Sequence, residues 1–463
     1  MTDALRDLLD SAFRRSVRYL ESAAQRPVSP AQAAVDRLPE LGGALPESSS
    51  APEDTLAMLD DVGSPATVVS AGGRYFGFVT GGALPAAVAT NWLATAWDQN
   101  AGPGSGSPIA AALEHIAIGW IRDLLGLPAG TGGSFVTGAS MANFCGLAAA
   151  RHAILDRQGW DAERNGLFGA PPITVIVGEE AHAALLKALS LLGLGRDRVV
   201  RIPTDSQGRM RADKLPPLSG STIVCIQAGN VNTGALDPAR PICMAARAAQ
   251  AWVHIDGAFG LWAAAVPARA FLADGIELAD SWALDAHKWL NVPYDCGVVL
   301  VRETHRLEAA MSASASYLSP GLEPHPFRLT PEMSRRARSV DVWAALRSLG
   351  RAGLAELVER CCRHAARFAD GLRGAGYAVL NDVVLNQVLV SFGDAETTSA
   401  VIEAIQRDGT CWCGGTVWQG RTAMRISVSS WATSDEDVDR SLAAMLRVAA
   451  EVTRARKIVG SLG

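Results

Sequence analysis

A chain of 463 residues, 49% hydrophobic and 19% charged, is globular in composition and long enough for a large core and two or three structural units. Its net charge of −5 comes without a basic block able to track a phosphate backbone, so nucleic acid is excluded as an expected partner. Apolar stretches such as Ala83 to Ala96 are broken by Pro85, Asn91 and Trp92, the N-terminus carries Asp3, Arg6, Asp7 and Asp10, and the eight cysteines match no disulfide or zinc spacing, so the expectation is a cytoplasmic protein with no membrane span and no metal.

In chain order, Leu5, Leu8, Leu9, Ala12, Phe13, Ser16, Val17 and Leu20 fall on one helix face. A second helix is expected from Pro30 to Leu38, followed by a Gly/Ser/Pro-rich linker from Leu41 to Pro52. Such an arm holds too little core to fold alone and must pack on something else. Arg74 to Phe78 precede a helix beginning near Leu84, and Gly102 to Pro108 form a turn before a helix from Ile109 to Leu125.

The stretch Ser134 to Asn143 leads into a helix from Phe144 to Leu155. Small residues at a helix start leave backbone N–H groups open to an anion, which makes Ala139 and Ser140 candidates for holding a phosphate; a plain N-cap is the alternative. Apolar strands then alternate with helical or turn segments: Ile173 to Gly178, Val199 to Pro203, Thr222 to Ala228, Trp252 to Asp256, Ser281 to Leu284 and Gly297 to Val301. Continuous apolar strands with crossovers predict an α/β fold with a mostly parallel sheet covered on both faces.

Two residues at the ends of these strands carry the chemistry. Asp256 closes a buried strand, where a carboxylate can keep a heterocyclic nitrogen protonated; turn capping is the alternative. Lys288 follows in Asp285-Ala286-His287-Lys288-Trp289, in mostly apolar company. Burial disfavours the charged form of a lysine and turns it into a nucleophile able to form a Schiff base, the condition for holding pyridoxal phosphate. Between Ser312 and Pro331 an aperiodic stretch predicts an active-site lid whose only tyrosine is Tyr317. A long helix from about Asp341 to Leu372 leads to a smaller unit with strands Ala378 to Leu380, Gln387 to Phe392 and Ala423 to Val428, closed by a helix with Thr433 and Glu436 as a capping box.

The segments Val136 to Phe144, His254 to Phe259 and Asp285 to Trp289 resemble, in consistent order, the group II pyridoxal-phosphate-dependent amino acid decarboxylases, a family that includes aromatic amino acid, glutamate and diaminobutyrate decarboxylases. The resemblance runs from about residue 60 to the C-terminus. It implies a fold type I enzyme with a helical dimerisation segment over 1–65, a large cofactor domain over 66–340 and a small C-terminal domain over 341–463. It implies a homodimer with shared active sites, and it implies that pyridoxal phosphate is held by Lys288, Asp256, Ala139, Ser140, Ala258 and His287. His182 would stack on the cofactor ring near the scissile carboxylate, Tyr75 would form a wall of the substrate pocket, and Arg425 would bind a substrate carboxylate. A core aromatic and a structural ion pair are the alternatives for the last two. Where many relatives carry threonines, this sequence has Asn230, Val231 and Asn232, which blurs the substrate.

The expected reaction is decarboxylation of an L-amino acid to the amine and CO2. If Tyr75, Phe76 and Phe78 line the pocket, the substrate is aromatic or apolar. A lid without a securely placed tyrosine keeps a carbonyl product open, by aldehyde synthesis or transamination. A catalytically silent homologue is the remaining alternative, and Lys288, Asp256 and His182 speak against it.

Overall fold

Buried apolar runs decide where the strands form. The computed structural model describes residues 2–312 and 325–460, and residues 313–324 of the expected lid, including Tyr317, lie outside the described residues. Contacts divide the chain into two compact units, one of residues 1–80, 367–379 and 390–463, the other of residues 81–366 and 380–389.

The second unit is built on a seven-stranded sheet: β1 (Gly132–Val136), β2 (Thr174–Gly178), β3 (Val200–Ile202), β4 (Thr222–Gln227), β5 (Trp252–Asp256), β6 (Ser281–Asp285) and β7 (Gly297–Val301). The spatial order is β1-β7-β6-β5-β4-β2-β3. The pairs β6/β5, β5/β4, β4/β2 and β2/β3 are parallel, and β7 runs antiparallel to both its neighbours. Every residue of β5, β6 and β7 is buried. This matches sheets whose two faces are both covered, which read as unbroken apolar strands. Trp262, Trp282 and Trp289 are fully buried around them, and each large side chain removed from water contributes about 1.5–3 kcal/mol.

The helices used below are α1 (Asp3–Ser22), α2 (Pro85–Trp97), α3 (Pro108–Leu124), α4 (Ala139–Asp156), α5 (Ala183–Leu191) and α6 (Arg338–Gly374). Register sets the functional edge of the sheet. Val136 pairs with Gly297, Gly297 with Asp285, Ala283 with Asp256, and Asp256 with Gln227. The ends of β1, β6, β5 and β4 therefore line up side by side, and the chain leaving β1 enters α4 next to the carboxylates that end β5 and β6.

The first unit contains α1 and most of a four-stranded sheet of order β10-β11-β9-β8, with β8 at Ala378–Val379, β9 at Gln387–Ser391, β10 at Gly414–Trp418 and β11 at Arg421–Ser427. The hairpin partner β10 was not expected, because its glycines and exposed alternate residues give no apolar run. The expected helix from Pro30 to Leu38 is instead a single turn, Gln32–Val35, followed by a 3₁₀ turn at Leu38–Leu41, since Pro39 interrupts the pattern. The capping box lies one residue beyond Thr433 and Glu436. The Ser434 N–H donates to Asp437 Oδ2 at 3.0 Å and the Asp437 N–H to Ser434 Oγ at 3.1 Å, because Thr433 Oγ1 is spent on the Gly73 carbonyl.

The long helix α6 is also not continuous. Gly350 breaks it with φ 62° and ψ −176°, a left-handed conformation that costs a side-chain-bearing residue about 1–2 kcal/mol. No atom would crowd an added Cβ there, so only the backbone angle opposes substitution. Gly350→Ala is expected to lower stability by about 1 kcal/mol in thermal or urea unfolding; an unchanged midpoint would show that the break is not required.

Candidate active site

Asp285 is the hub of one half of the site. It ends β6, is 3% exposed, and its Oδ1 accepts the Ala139 N–H at 2.6 Å, so the first amide of α4 is capped by a side chain from the neighbouring strand end. Its Oδ2 lies 3.0 Å from Lys288 Nζ, and its Oδ1 lies 3.5 Å from His287 Nε2. The expectation of a lysine in apolar company is therefore corrected: Lys288 is partly exposed and its ammonium faces a carboxylate three residues back. His287 is fixed from its other side, where Nδ1 accepts the Cys296 N–H at 3.1 Å, and its ring packs on Tyr294 with centroids 4.3 Å apart. Burial lowers the His287 pKa, so the ring is neutral at neutral pH and carries its proton on Nε2, toward Asp285.

Asp256 is the centre of the other half. It is 4% exposed and accepts a hydrogen bond from Asn143 Nδ2 of α4 at 3.2 Å. Burial raises its pKa, while His182, Lys288 and the Asn143 bond pull it back toward the charged form, and Asp285 adds to the rise. His182 and Lys288 thus both act on the carboxylate that ends β5. His182 is the N-cap of α5, with Nδ1 accepting the Ala184 N–H at 3.2 Å, so the proton of its neutral ring sits on Nε2. A small cleft lined by Gly178, His182, Gln227 and Asp256 opens where β2, β4 and β5 end, the position at which open α/β sheets bind ligands.

The remaining expected residues fall as follows. Ser140 is exposed in the first turn of α4, while Ala139 beside it is buried with its amide taken by Asp285. Ala258 is partly exposed just past Asp256, and its carbonyl accepts the Asp285 N–H at 2.8 Å, tying the two strand ends together. Tyr75 and Arg425 belong to the first unit. Tyr75 stacks on Trp412 with centroids 5.1 Å apart, and Phe78 stacks on the same indole at 5.7 Å. Burial pulls the Arg425 pKa down and Tyr75 acts against that shift. Asn230 turns inward on its own loop, its Oδ1 accepting the Asn232 and Thr233 N–H groups. Within the expected lid, Phe327 is buried with its N–H on the Gly102 carbonyl, and Arg328 pairs with Glu308 at 3.0 Å, so this end of the stretch is packed rather than loose.

Four polar residues of this site carry no role in the sequence reading: Asn143, His254, Ser281 and Asp285. All four sit inside the recognised motifs or strands. The signal for the three on strands is a polar residue at alternate positions of an otherwise apolar run, as in His254 and Asp256, whereas Asn143 sits in helix α4 with no such signal.

The family profile described as "Pyridoxal-dependent decarboxylase conserved domain" matches residues 49–392. Tryptophan decarboxylase 1 of Oryza sativa subsp. japonica is 28% identical, over 92% of this chain and 90% of its own length. The L-2,4-diaminobutyrate decarboxylase of Rhizobium meliloti (strain 1021) is also 28% identical, over 79% of this chain and 74% of its own. Among solved structures, that of Oryza sativa TDC with PLP and tryptamine superposes with a TM-score of 0.89 at 24% identity, covering 97% of this chain and 98% of the other, so the fold is the same. A lysine and two carboxylates gathered at one sheet edge, inside a profile match that spans most of the chain, establish that this protein belongs to the pyridoxal-dependent decarboxylase family.

Proposed function

We propose that this enzyme decarboxylates an L-amino acid with an aromatic side chain, releasing CO2 and the amine, with Lys288, Asp256 and His182 as its catalytic residues. The observation that carries this reading is the meeting of Lys288, Asp285 and the buried Asp256 at one sheet edge, with His182 lining the cleft beside Asp256. Pyridoxal phosphate, when bound, supplies an electron-accepting ring for the pair released as the carboxylate leaves.

The residues present fit that group. Lys288 offers a partly exposed amine, Asp256 a buried carboxylate suited to a protonated ring nitrogen, and Ser140 an exposed hydroxyl at a helix start. Lys288 would hold the cofactor covalently, Asp256 its ring nitrogen, Ala258 and His182 its ring, and Ser140 and His287 its phosphate. Ala139 joins them once Asp285 releases its amide. His182 keeps the proton of its neutral ring on Nε2, where it can be given to the substrate carbon after CO2 departs. Lys288 must leave Asp285 to act as a nucleophile, and Asp285 keeps it in place until then.

The aromatic substrate is supported by the similarity to a tryptophan decarboxylase and by the stacked cluster of Tyr75, Trp412 and Phe78. We assign Tyr75 to the substrate side chain and Arg425 to its carboxylate. The enzyme acts as a homodimer in the cytoplasm: α1 buries no residue of its own and exposes Leu5, Leu9, Phe13 and Leu20, an apolar stripe that a second copy would cover. No helix of the described residues is long and apolar enough to cross a membrane.

Incubation with pooled L-amino acids is expected to yield CO2 and one new amine from the wild type and none from Lys288→Ala, which, unlike the wild type, also fails to retain cofactor through denaturation after borohydride reduction. A carbonyl product would move the reaction to aldehyde synthesis or transamination. Arg425→Gln is expected to raise KM about tenfold with a smaller change in kcat, the mark of lost ground-state binding; an unchanged KM would remove Arg425 from the substrate.

Asp256 also makes a stability prediction. A carboxyl whose folded pKa lies above its ordinary value of 3.8 gives stability that is present below that value and lost as pH rises through the folded pKa. Cofactor-free wild type should therefore lose stability on this upward path, and Asp256→Asn should flatten the thermal midpoint against pH and raise it at neutral pH. A lower midpoint for Asp256→Asn at neutral pH would show that the buried charge is not a net cost.

A further inference from the structure

Trp252, His254 and Asp256 alternate along β5, so their side chains share one face of the strand, the face that meets α4. On that face five side chains form an unbroken hydrogen-bonded line. Trp252 Nε1 lies 2.9 Å from Ser281 Oγ, Ser281 Oγ 2.8 Å from His254 Nδ1, His254 Nε2 2.8 Å from Asn143 Oδ1, and Asn143 Nδ2 3.2 Å from Asp256 Oδ2. His254, Asn143 and Ser281 are all 0% exposed. Strand register places His254 directly opposite Ser281. Room for the imidazole comes from Gly146 of α4, where an added Cβ would stand 2.8 Å from His254 Cε1 and 3.0 Å from Nδ1.

We propose that Ser281, His254 and Asn143 are positioning residues that hold Asp256 aimed and charged for the cofactor's ring nitrogen, through a hydrogen-bond line that runs in one direction only. This rests on the reading that Asp256 meets that nitrogen. The direction follows from the two ends. A charged carboxylate only accepts, so Asn143 must turn its NH2 to Asp256 and its carbonyl to His254. His254 must then carry its proton on Nε2 and leave Nδ1 bare, so the Ser281 hydroxyl donates to Nδ1. The Ser281 oxygen accepts from Trp252, whose indole N–H can only donate. Every donor points toward Asp256, and a line so aligned is polarised toward the carboxylate at its end.

The histidine acts as a neutral link. Burial pulls its pKa down to about 3, so it does not take a second proton at working pH and cannot reverse the line. The other groups bearing on Asp256 are His182, Lys288 and Asp285, and Cys225 lies within its field on the adjacent strand. Without the Ser281 hydroxyl, only the Asp256 end still sets the tautomer, and the form protonated on Nδ1 gains population. His254 Nε2 then accepts, Asn143 flips, and its carbonyl faces the carboxylate that its NH2 had held.

The test compares Ser281→Ala, Asn143→Ala and Asp256→Ala with wild type, each reconstituted with pyridoxal phosphate and checked for secondary structure by circular dichroism. The readouts are the cofactor dissociation constant and the pH midpoint of the visible absorption band. Ser281→Ala and Asn143→Ala are expected to shift the midpoint by about one unit and loosen the cofactor about tenfold, the loss of one charge-assisted bond. Asp256→Ala is expected to shift both further. A shift in Asp256→Ala with wild-type values in the other two would overturn the positioning role and keep the reading of Asp256. Wild-type values in Asp256→Ala would overturn that reading, and the positioning role with it. The two positioning variants break the line at separate links, so either one that folds decides the outcome.

Discussion

The site depends on keeping a carboxylate charged where the protein has removed its water. Asp256 ends a strand with every residue buried, and burial is the largest influence on its ionisation. An isolated buried charge is expensive, by several kcal/mol or more, and is sustained only by opposite charge and by hydrogen bonds that favour the ionised form. Lys288 provides the first, and the amide of Asn143 provides the second. The same desolvation makes the carboxylate useful, because a charge facing little water interacts strongly with a partner that carries a proton.

The sheet makes this arrangement possible through register. Parallel strands ending at one level bring Gln227, Asp256 and the end of β6 into one row, and the antiparallel insertion of β7 brings the β1–α4 turn beside them. A helix start and two carboxylates thereby meet without any loop having to span between them. Asp285 uses the meeting point, capping Ala139 with one oxygen and holding Lys288 with the other. The helix N-terminus, the lysine and the neutral His287 all lean on this one side chain, so the site is held together before any ligand arrives.

Much of this was legible in the residues. Strands buried on both faces read as continuous apolar runs, so Trp252 to Asp256 and Gly297 to Val301 have the bounds expected of them, and Asp256 was visible as a charge closing such a run. What could not be read were partnerships across sequence distance. Nothing local to His254 says that Ser281 stands opposite, because that depends on register between strands about thirty residues apart. Weak local patterns failed for a different reason. The exposed hairpin strand Gly414–Trp418 buries too little to leave a periodic trace, and the break at Gly350 sits in a sequence whose helical pattern continues on both sides.

Direct location of the protons on His254 tests the account most closely, since the direction of the line to Asp256 rests on them. Neutron diffraction from a crystal exchanged into D2O is predicted to show a deuteron on His254 Nε2, facing Asn143, with Nδ1 bare toward the Ser281 hydroxyl. A deuteron on Nδ1 would contradict the account: alone, it leaves Asn143 no hydrogen bond to receive from His254, and beside one on Nε2 it makes His254 a charged donor to Ser281 in place of a neutral link.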